Sequence, residues 1–138
     1  MRWPVPRSRA SMTIPDNLSV AGYELQRLLG EGGMATVWLG IEVATGRRVA
    51  IKLLAAHSTD STRARERFKR EAQAVAALQH PNIATVHDFG EGAHSAYLVM
   101  ELIEGKPLST IIRERAPLPA EEVTEILYQA AIALQAAH

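Results

Sequence analysis

The run Leu29-Gly30-Glu31-Gly32-Gly33-Met34-Ala35-Thr36-Val37, followed by Val49-Ala50-Ile51-Lys52, restricts this chain more than any other stretch in it. Three glycines fall in four positions, and the sequence then turns β-branched at Thr36 and Val37. Glycine lets a backbone turn tightly and approach a ligand with no Cβ in the way. A loop of this kind with free N–H groups suits phosphate oxygens. The second run reads as a strand, in which alternate residues share a face. Lys52 therefore lies with Ala50, while Val49, Ile51 and Leu53 point the other way. A small residue beside a cation, opposite a glycine loop, describes a slot for a flat apolar ring with a charged tail.

Several kinds of loop contain such glycines. An ordinary hairpin turn needs no more than Gly-Gly. A dinucleotide-binding loop opens a helix and is followed about twenty positions later by an acidic residue. Here a strand-like run, Thr36-Val37-Trp38-Leu39, follows, and the residue about that far downstream is Lys52. A Walker loop ends in Gly-Lys-Ser/Thr, a tripeptide this chain lacks. The protein-kinase glycine loop ends in Val and is followed by Val-Ala-Ile-Lys, and Gly30, Gly32, Val37 and Val49 to Lys52 match it in order and spacing. Over about residues 22–138 the sequence resembles the amino-terminal part of bacterial Hanks-type (eukaryote-like) serine/threonine protein kinases. Ala35 stands where the pattern's third glycine would be, which adds a Cβ and some stiffness.

Along the chain, residues 1–20 carry Pro4, Pro6 and Pro15 among Arg and Ser and read as a disordered leader. Met1 and Met12 are both candidate starts. Tyr23–Leu29, Thr36–Val43 and Arg48–Leu54 read as an antiparallel meander of three strands. A loop at residues 57–60 leads to a predicted helix over Ser61–Gln79, with Phe68, Ala72, Val75 and Leu78 as its apolar stripe. Glu71 borders that stripe. On its residue type alone it is either a solvated flank carboxylate or the partner of a buried cation, since an unpaired buried charge is costly. Arg63, Arg65, Arg67, Lys69 and Arg70 make the helix basic. A wet helix face explains this, and so does docking of a phosphorylated or acidic partner. Pro81 ends the helix. Thr85–Phe89 and Ala96–Met100 complete five strands. Leu108–Arg113 is a short helix, and Ala120–Ala137 a long one, with Glu121 and Glu122 in the turn where the dipole favours anions. The apolar face of the long helix is Val123, Ile126, Leu127, Ala130, Leu134 and Ala137.

The resemblance implies an α+β fold: a kinase-like small lobe of five antiparallel strands and one helix, then the start of the large lobe. It divides the chain into the leader at 1–20, the small lobe at 21–101, the hinge at 102–107, and two large-lobe helices at 108–138. It implies that Glu71 pairs with Lys52, in a context Phe68-Lys69-Arg70-Glu71-Ala72 close to the family's helix. His80-Pro81-Asn82-Ile83 matches the family's link to the next strand. By the same resemblance Val75 and Val86 belong to the apolar spine of the active state. Met100 to Gly105 resembles the hinge. Leu29, Val37 and Ala50 would cover adenine, Met100 would line the back, and Glu101 C=O and Ile103 N–H would hold its edge. Gly30, Glu31, Gly32 and Gly33 would cover the phosphates of ATP, and Lys52 would position them.

Phosphoryl transfer in kinases also needs an aspartate to accept the hydroxyl proton, and Asp and Asn to hold Mg²⁺. Those residues sit in His-Arg-Asp and Asp-Phe-Gly segments that follow the hinge; this chain has no His-Arg-Asp, and its Asp88-Phe89-Gly90 lies before the hinge, with no aspartate after it. No metal ligand is therefore assigned, and the 138 residues alone are expected to be inactive. Two functions remain: the ATP-binding part of a kinase acting on protein Ser/Thr hydroxyls, or a truncated, non-catalytic pseudokinase module that binds a partner. Self-association through the terminal helix or the small lobe is a further expectation.

Lys+Arg and Asp+Glu each number 15, which gives no support for nucleic-acid binding. The chain has no cysteine, hence no disulfide framework. No apolar run reaches the roughly 18 residues of a membrane span, and the basic start lacks the apolar core of a signal peptide. These features place the chain in the cytoplasm, and a membrane-anchored parent is compatible with them.

Overall fold

The computed structural model describes residues 19–54, 62–92 and 96–138. Five strands come first in the chain's architecture: β1 (Tyr23–Glu31), β2 (Ala35–Glu42), β3 (Arg48–Leu54), β4 (Val86–Glu91) and β5 (Ala96–Glu101). Three helices join them: α1 (Thr62–Ala76) between β3 and β4, then α2 (Leu108–Arg115) and α3 (Ala120–Ala137). The strands form one antiparallel sheet in the order β1-β2-β3-β5-β4. The five-stranded antiparallel sheet with its helix agrees with the expected small-lobe fold. Residues 1–18 of the expected leader (1–20), the loop at 57–60 and the first residue of the helix, Ser61, fall outside the described residues. Val20 does not behave as leader: it is only 4% exposed, and its carbonyl accepts the Tyr23 N–H at 3.0 Å.

Turn chemistry explains the meander. Gly46 takes φ +73°, a conformation that side chains rarely adopt, and closes the β2–β3 hairpin. Its N–H donates to the Glu42 carbonyl at 2.8 Å. Gly40 is required by packing instead, since a Cβ there would run into Ile51 Cδ1.

The period-two pattern of β3 builds a core on each side of the sheet. Val49, Ile51 and Leu53 pack with Val20, Leu25, Trp38 and Val99 on one side. Leu54 and Leu98 pack with Phe68, Ala72 and Ala96 on the other, beneath α1. Only Phe68 and Ala72 of α1 are buried, so the helix is docked along a narrow strip. It ends three residues before the expected Gln79. Its last turn tightens to a Leu78 N–H bond to the Val75 carbonyl at 3.0 Å. The chain then extends, as the residue before Pro81 requires.

The two carboxy-terminal helices start at prolines, Pro107 and Pro119, whose carbonyls accept the first helical N–H bonds. The Ala116–Pro117 bond between them is cis. Arg115 clamps the Glu122 carboxylate with two bonds, at 2.9 and 2.7 Å, and so ties the end of α2 to the first turn of α3. No residue of α3 is buried. It meets the small lobe where Asn82 Nδ2 donates to the Gln129 carbonyl at 3.1 Å.

Candidate nucleotide site

Antiparallel pairing places directly opposed residues on one face, and this aligns the candidate side chains in rows. Val37 opposes Lys52, and Lys52 opposes Leu98. In the next row Leu39 opposes Ala50, and Ala50 opposes Met100. Val37, Ala50, Lys52 and Met100 thus share the α1 side of the sheet, as the alternation of β3 predicts. Ala50 is buried and Met100 half-buried. The methyl group of Ala50 keeps its row shallow beside the bulkier Leu39 and Met100, which suits a flat ring laid against the sheet.

The glycine loop caps these rows. Gly30 is buried opposite Val37, and Glu31 is exposed opposite Thr36. Leu29 is half-buried at an irregularity in the β1–β2 register, between Leu28 and Gly30. At the tip, the Gly32 N–H donates to the Ala35 carbonyl at 2.9 Å. That amide closes the hairpin and is not free for a phosphate, contrary to the simplest expectation for such a loop. Gly33 and Met34 are exposed at the turn.

Lys52 projects into a cavity of about 120 Å³ lined by Met34, Ala35, Leu54, Ala64, Arg67, Phe68 and Glu71. Its Nζ lies 6.0 Å from the centroid of the Phe68 ring. That is the outer limit for a favourable cation–π contact. The expected Lys52–Glu71 ion pair is not formed. Glu71 instead accepts from Arg67 Nε at 3.2 Å, and its side chain is 58% exposed. The physical reason is local: Arg67 sits one helical turn before Glu71, so the two meet on the helix surface without the helix having to move. Pairing with Lys52 requires the Glu71 side chain to leave Arg67 and turn into the cavity that Glu71 and Lys52 both line.

The hinge is held by contacts that motif reading does not supply. Glu101 N–H donates to the Thr85 carbonyl at 2.8 Å, and Thr85 N–H donates to Glu101 Oε2 at 3.1 Å. This reciprocal clasp fixes the end of β5 against the start of β4. Arg48 Nη1 reaches Glu104 Oε1 at 2.8 Å and tethers the segment after β5 to β3. Ile103 is exposed, and its N–H has no protein partner among the described residues. It is available to an adenine edge. Lys106 donates to Glu114 at 2.6 Å, and that hydrogen bond holds the Glu114 carboxyl below the usual range. The role of Thr85 had no signal in sequence, because its bond depends on which strand β5 pairs with. The competing cation Arg67 was visible at four-residue spacing from Glu71.

Among the described residues, no group of three or more His, Cys, Asp or Glu is arranged to hold a metal ion. No described helix is long and apolar enough to cross a membrane.

A glycine hairpin over a small residue, a strand lysine and a tethered hinge is the arrangement of a kinase small lobe. The chain belongs to the protein kinase domain family, whose model matches residues 23–138. It is 42% identical over 121 residues to the serine/threonine-protein kinase PknA of Mycobacterium tuberculosis, covering 84% of this chain and 28% of that protein. It is 39% identical over 116 residues to the serine/threonine-protein kinase PrkC of Bacillus subtilis, covering 84% of this chain and 18% of that protein. The solved kinase domain of Mycobacterium tuberculosis PknI superposes with a TM-score of 0.77 at 32% identity, over 91% of this chain and 52% of that one. A structure of Rad53 1-466 in complex with AMP-PNP superposes with a TM-score of 0.70 at 27% identity, over 83% of this chain and 29% of that one. The chain thus spans well under half the length of these curated relatives, and it corresponds to the amino-terminal part of a bacterial Hanks-type kinase domain.

Proposed function

We propose that this chain is the ATP-covering part of a protein kinase that transfers the γ-phosphoryl group of ATP to Ser/Thr hydroxyls of proteins. The observation that carries this reading is the pair of rows Val37–Lys52–Leu98 and Leu39–Ala50–Met100 beneath the glycine hairpin. Leu29, Val37 and Ala50 cover the adenine faces, and Met100 closes the back. Glu101 C=O and Ile103 N–H hold its polar edge, in a position set by the clasp to Thr85. The Rad53 structure was obtained with AMP-PNP, an ATP analogue, which supports a nucleotide in the corresponding slot.

The roles divide by chemistry. Lys52 neutralises phosphate charge and orients the chain of phosphates, and Glu71, once turned inward, holds Lys52 in place. Gly30, Glu31, Gly32 and Gly33 roof the phosphates. Mg²⁺, when bound in a complete kinase, neutralises charge developing on the transferred group. Among the described residues no cluster of three or more His, Cys, Asp or Glu forms a ligand set for it, and none is assigned. Protein substrates reach the phosphate end of the slot from the cytoplasm, where we place this part of the protein.

A second reading, a non-catalytic binding module, draws on α3, where Leu127 and Leu134 are 64% and 71% exposed. The two readings separate in one experiment. Transfer of labelled phosphate by the chain joined to a matching large lobe, lost on Lys52→Ala, supports the kinase. Absence of transfer from that joined protein, with partner binding through α3 retained, supports the module.

A further inference from the structure

Along β3 one face of the sheet carries Arg48, Ala50 and Lys52, each two residues and so about 7 Å from the next. Lys52 stands at the phosphate end and Ala50 against the adenine ring. Arg48 lies beyond the ring, on the side of the hinge, and the nucleotide reading gives it no role. Its Nη1 donates to Glu104 Oε1 at 2.8 Å, between residues 56 positions apart in sequence.

The segment that reads the base has little else to hold it. β5 ends at Glu101, opposite Val49, and Leu102, Ile103 and Glu104 lie outside the strand ladder. Leu102 is half-buried and Ile103 exposed, so packing restrains this stretch weakly. Two carboxylates bracket it instead. Before it, Glu101 Oε2 accepts the Thr85 N–H at 3.1 Å. After it, Glu104 is held by Arg48.

A hinge held on both sides reads one base edge and refuses another. The Glu101 carbonyl accepts and the Ile103 N–H donates, an order that complements adenine, whose N6–H donor stands beside its N1 acceptor. Guanine presents an O6 acceptor and an N1–H donor, the reverse order. On a held hinge guanine sets acceptor against acceptor and donor against donor. A site whose polar groups are left unpaired in this way rejects its ligand strongly. A hinge free to shift by one peptide group relative to the base offers the Ile103 N–H to O6 and the Ile103 carbonyl to N1–H, and guanine is then accepted.

We propose that the Arg48–Glu104 ion pair sets the choice of nucleotide, by holding the Ile103 N–H in the register that accepts ATP and refuses GTP. Arg48 and Glu104 are positioning residues that act through the hinge backbone. The inference rests on the reading of Glu101 and Ile103 as the groups that hold the adenine edge.

The test uses the chain joined to a matching large lobe, with ATP and GTP as alternative phosphoryl donors to a generic basic protein. Arg48→Gln and Glu104→Gln should each narrow the ATP-over-GTP ratio of kcat/KM by about threefold, a size in keeping with one exposed ion pair. The change should fall on KM rather than kcat. The exchanged pair, Arg48→Glu with Glu104→Arg, should restore the parent ratio. Salt provides a second measurement that needs no variant to fold. The two side chains are 53% and 75% exposed, so raising salt from about 0.05 to 0.5 M screens the pair and should narrow the parent's ratio. The ratio cancels any effect of salt on the protein substrate, and in Arg48→Gln it should not respond to salt. Unchanged ratios in both single variants, or a parent ratio indifferent to salt, overturn the proposal. Equal losses with ATP and GTP also overturn it, since a merely structural tether gives that result. Transfer that persists undiminished in Lys52→Ala shows instead that the nucleotide slot itself is misread.

Discussion

Replacing Phe68 with alanine removes the one large side chain that fastens α1 to the sheet. Phe68 is 8% exposed and packs with Leu54, Ala72, Ala96 and Leu98. Truncating a buried phenylalanine typically costs about 3–5 kcal/mol. Cavities of about 120 and 210 Å³ already border this ring, so it has fewer contacts to lose than a fully enclosed one. The lower end, about 3 kcal/mol, is the expected cost. The Lys52 contact adds little, because 6.0 Å is at the limit of cation–π range. With urea m-values of about 1–3 kcal/mol per molar, the midpoint should fall by roughly 1.5 M. Urea unfolding followed by far-UV circular dichroism measures it, with Phe68→Leu as the milder variant at under about 1.5 kcal/mol. Val43→Ala, at a position that is 69% exposed and outside α3, serves as the control and should shift stability by less than about 0.5 kcal/mol. A Phe68→Ala midpoint within about 0.3 M of the parent would refute the claim that this ring docks the helix.

The exposed stripe of α3 should drive self-association, because wetting large aliphatic side chains forgoes about 1.5–3 kcal/mol each. Sedimentation velocity should show concentration-dependent species that Leu127→Glu and Leu134→Glu abolish. Gly40→Ala should destabilise by about 1–3 kcal/mol in thermal melts, since its Cβ meets Ile51 in a filled core. Tyr23 and Tyr97 have raised pKa values, chiefly through burial and also through Asp88. The unfolded chain therefore loses these protons first. Stability should be intact below pH of about 10, the unfolded tyrosine value, and should fall as the pH rises through the higher folded values. Tyr97→Phe should flatten that alkaline loss.

Much of this architecture is legible in the residues because periodicity reports burial. Val49, Ile51 and Leu53 alternate with Ala50 and Lys52, and the two sets do face opposite cores. Glycine and proline mark the hairpins and helix ends closely, with shifts of one to three residues where a terminal turn tightens, as at Leu78. Polar partnerships were harder to read. Glu71 has two cations within reach of its sequence position, and the choice between them depends on how far α1 sits from β3. The bonds of Glu101 to Thr85 and of Arg48 to Glu104 join segments that only the finished sheet brings together. Val20 was hidden among prolines and polar residues, because burial of one side chain leaves no periodic signal.

Positioning of ATP phosphates by Lys52 is the central claim, and one assay addresses it most directly. The chain is joined to a matching large lobe, and transfer of labelled phosphate from ATP to a generic basic protein is followed with Lys52 intact and with Lys52→Ala. The account predicts ready transfer by the joined protein, loss of most of it in Lys52→Ala, and none by the 138-residue chain alone. Undiminished transfer after Lys52→Ala, or Lys52-dependent transfer by the chain alone, would contradict it.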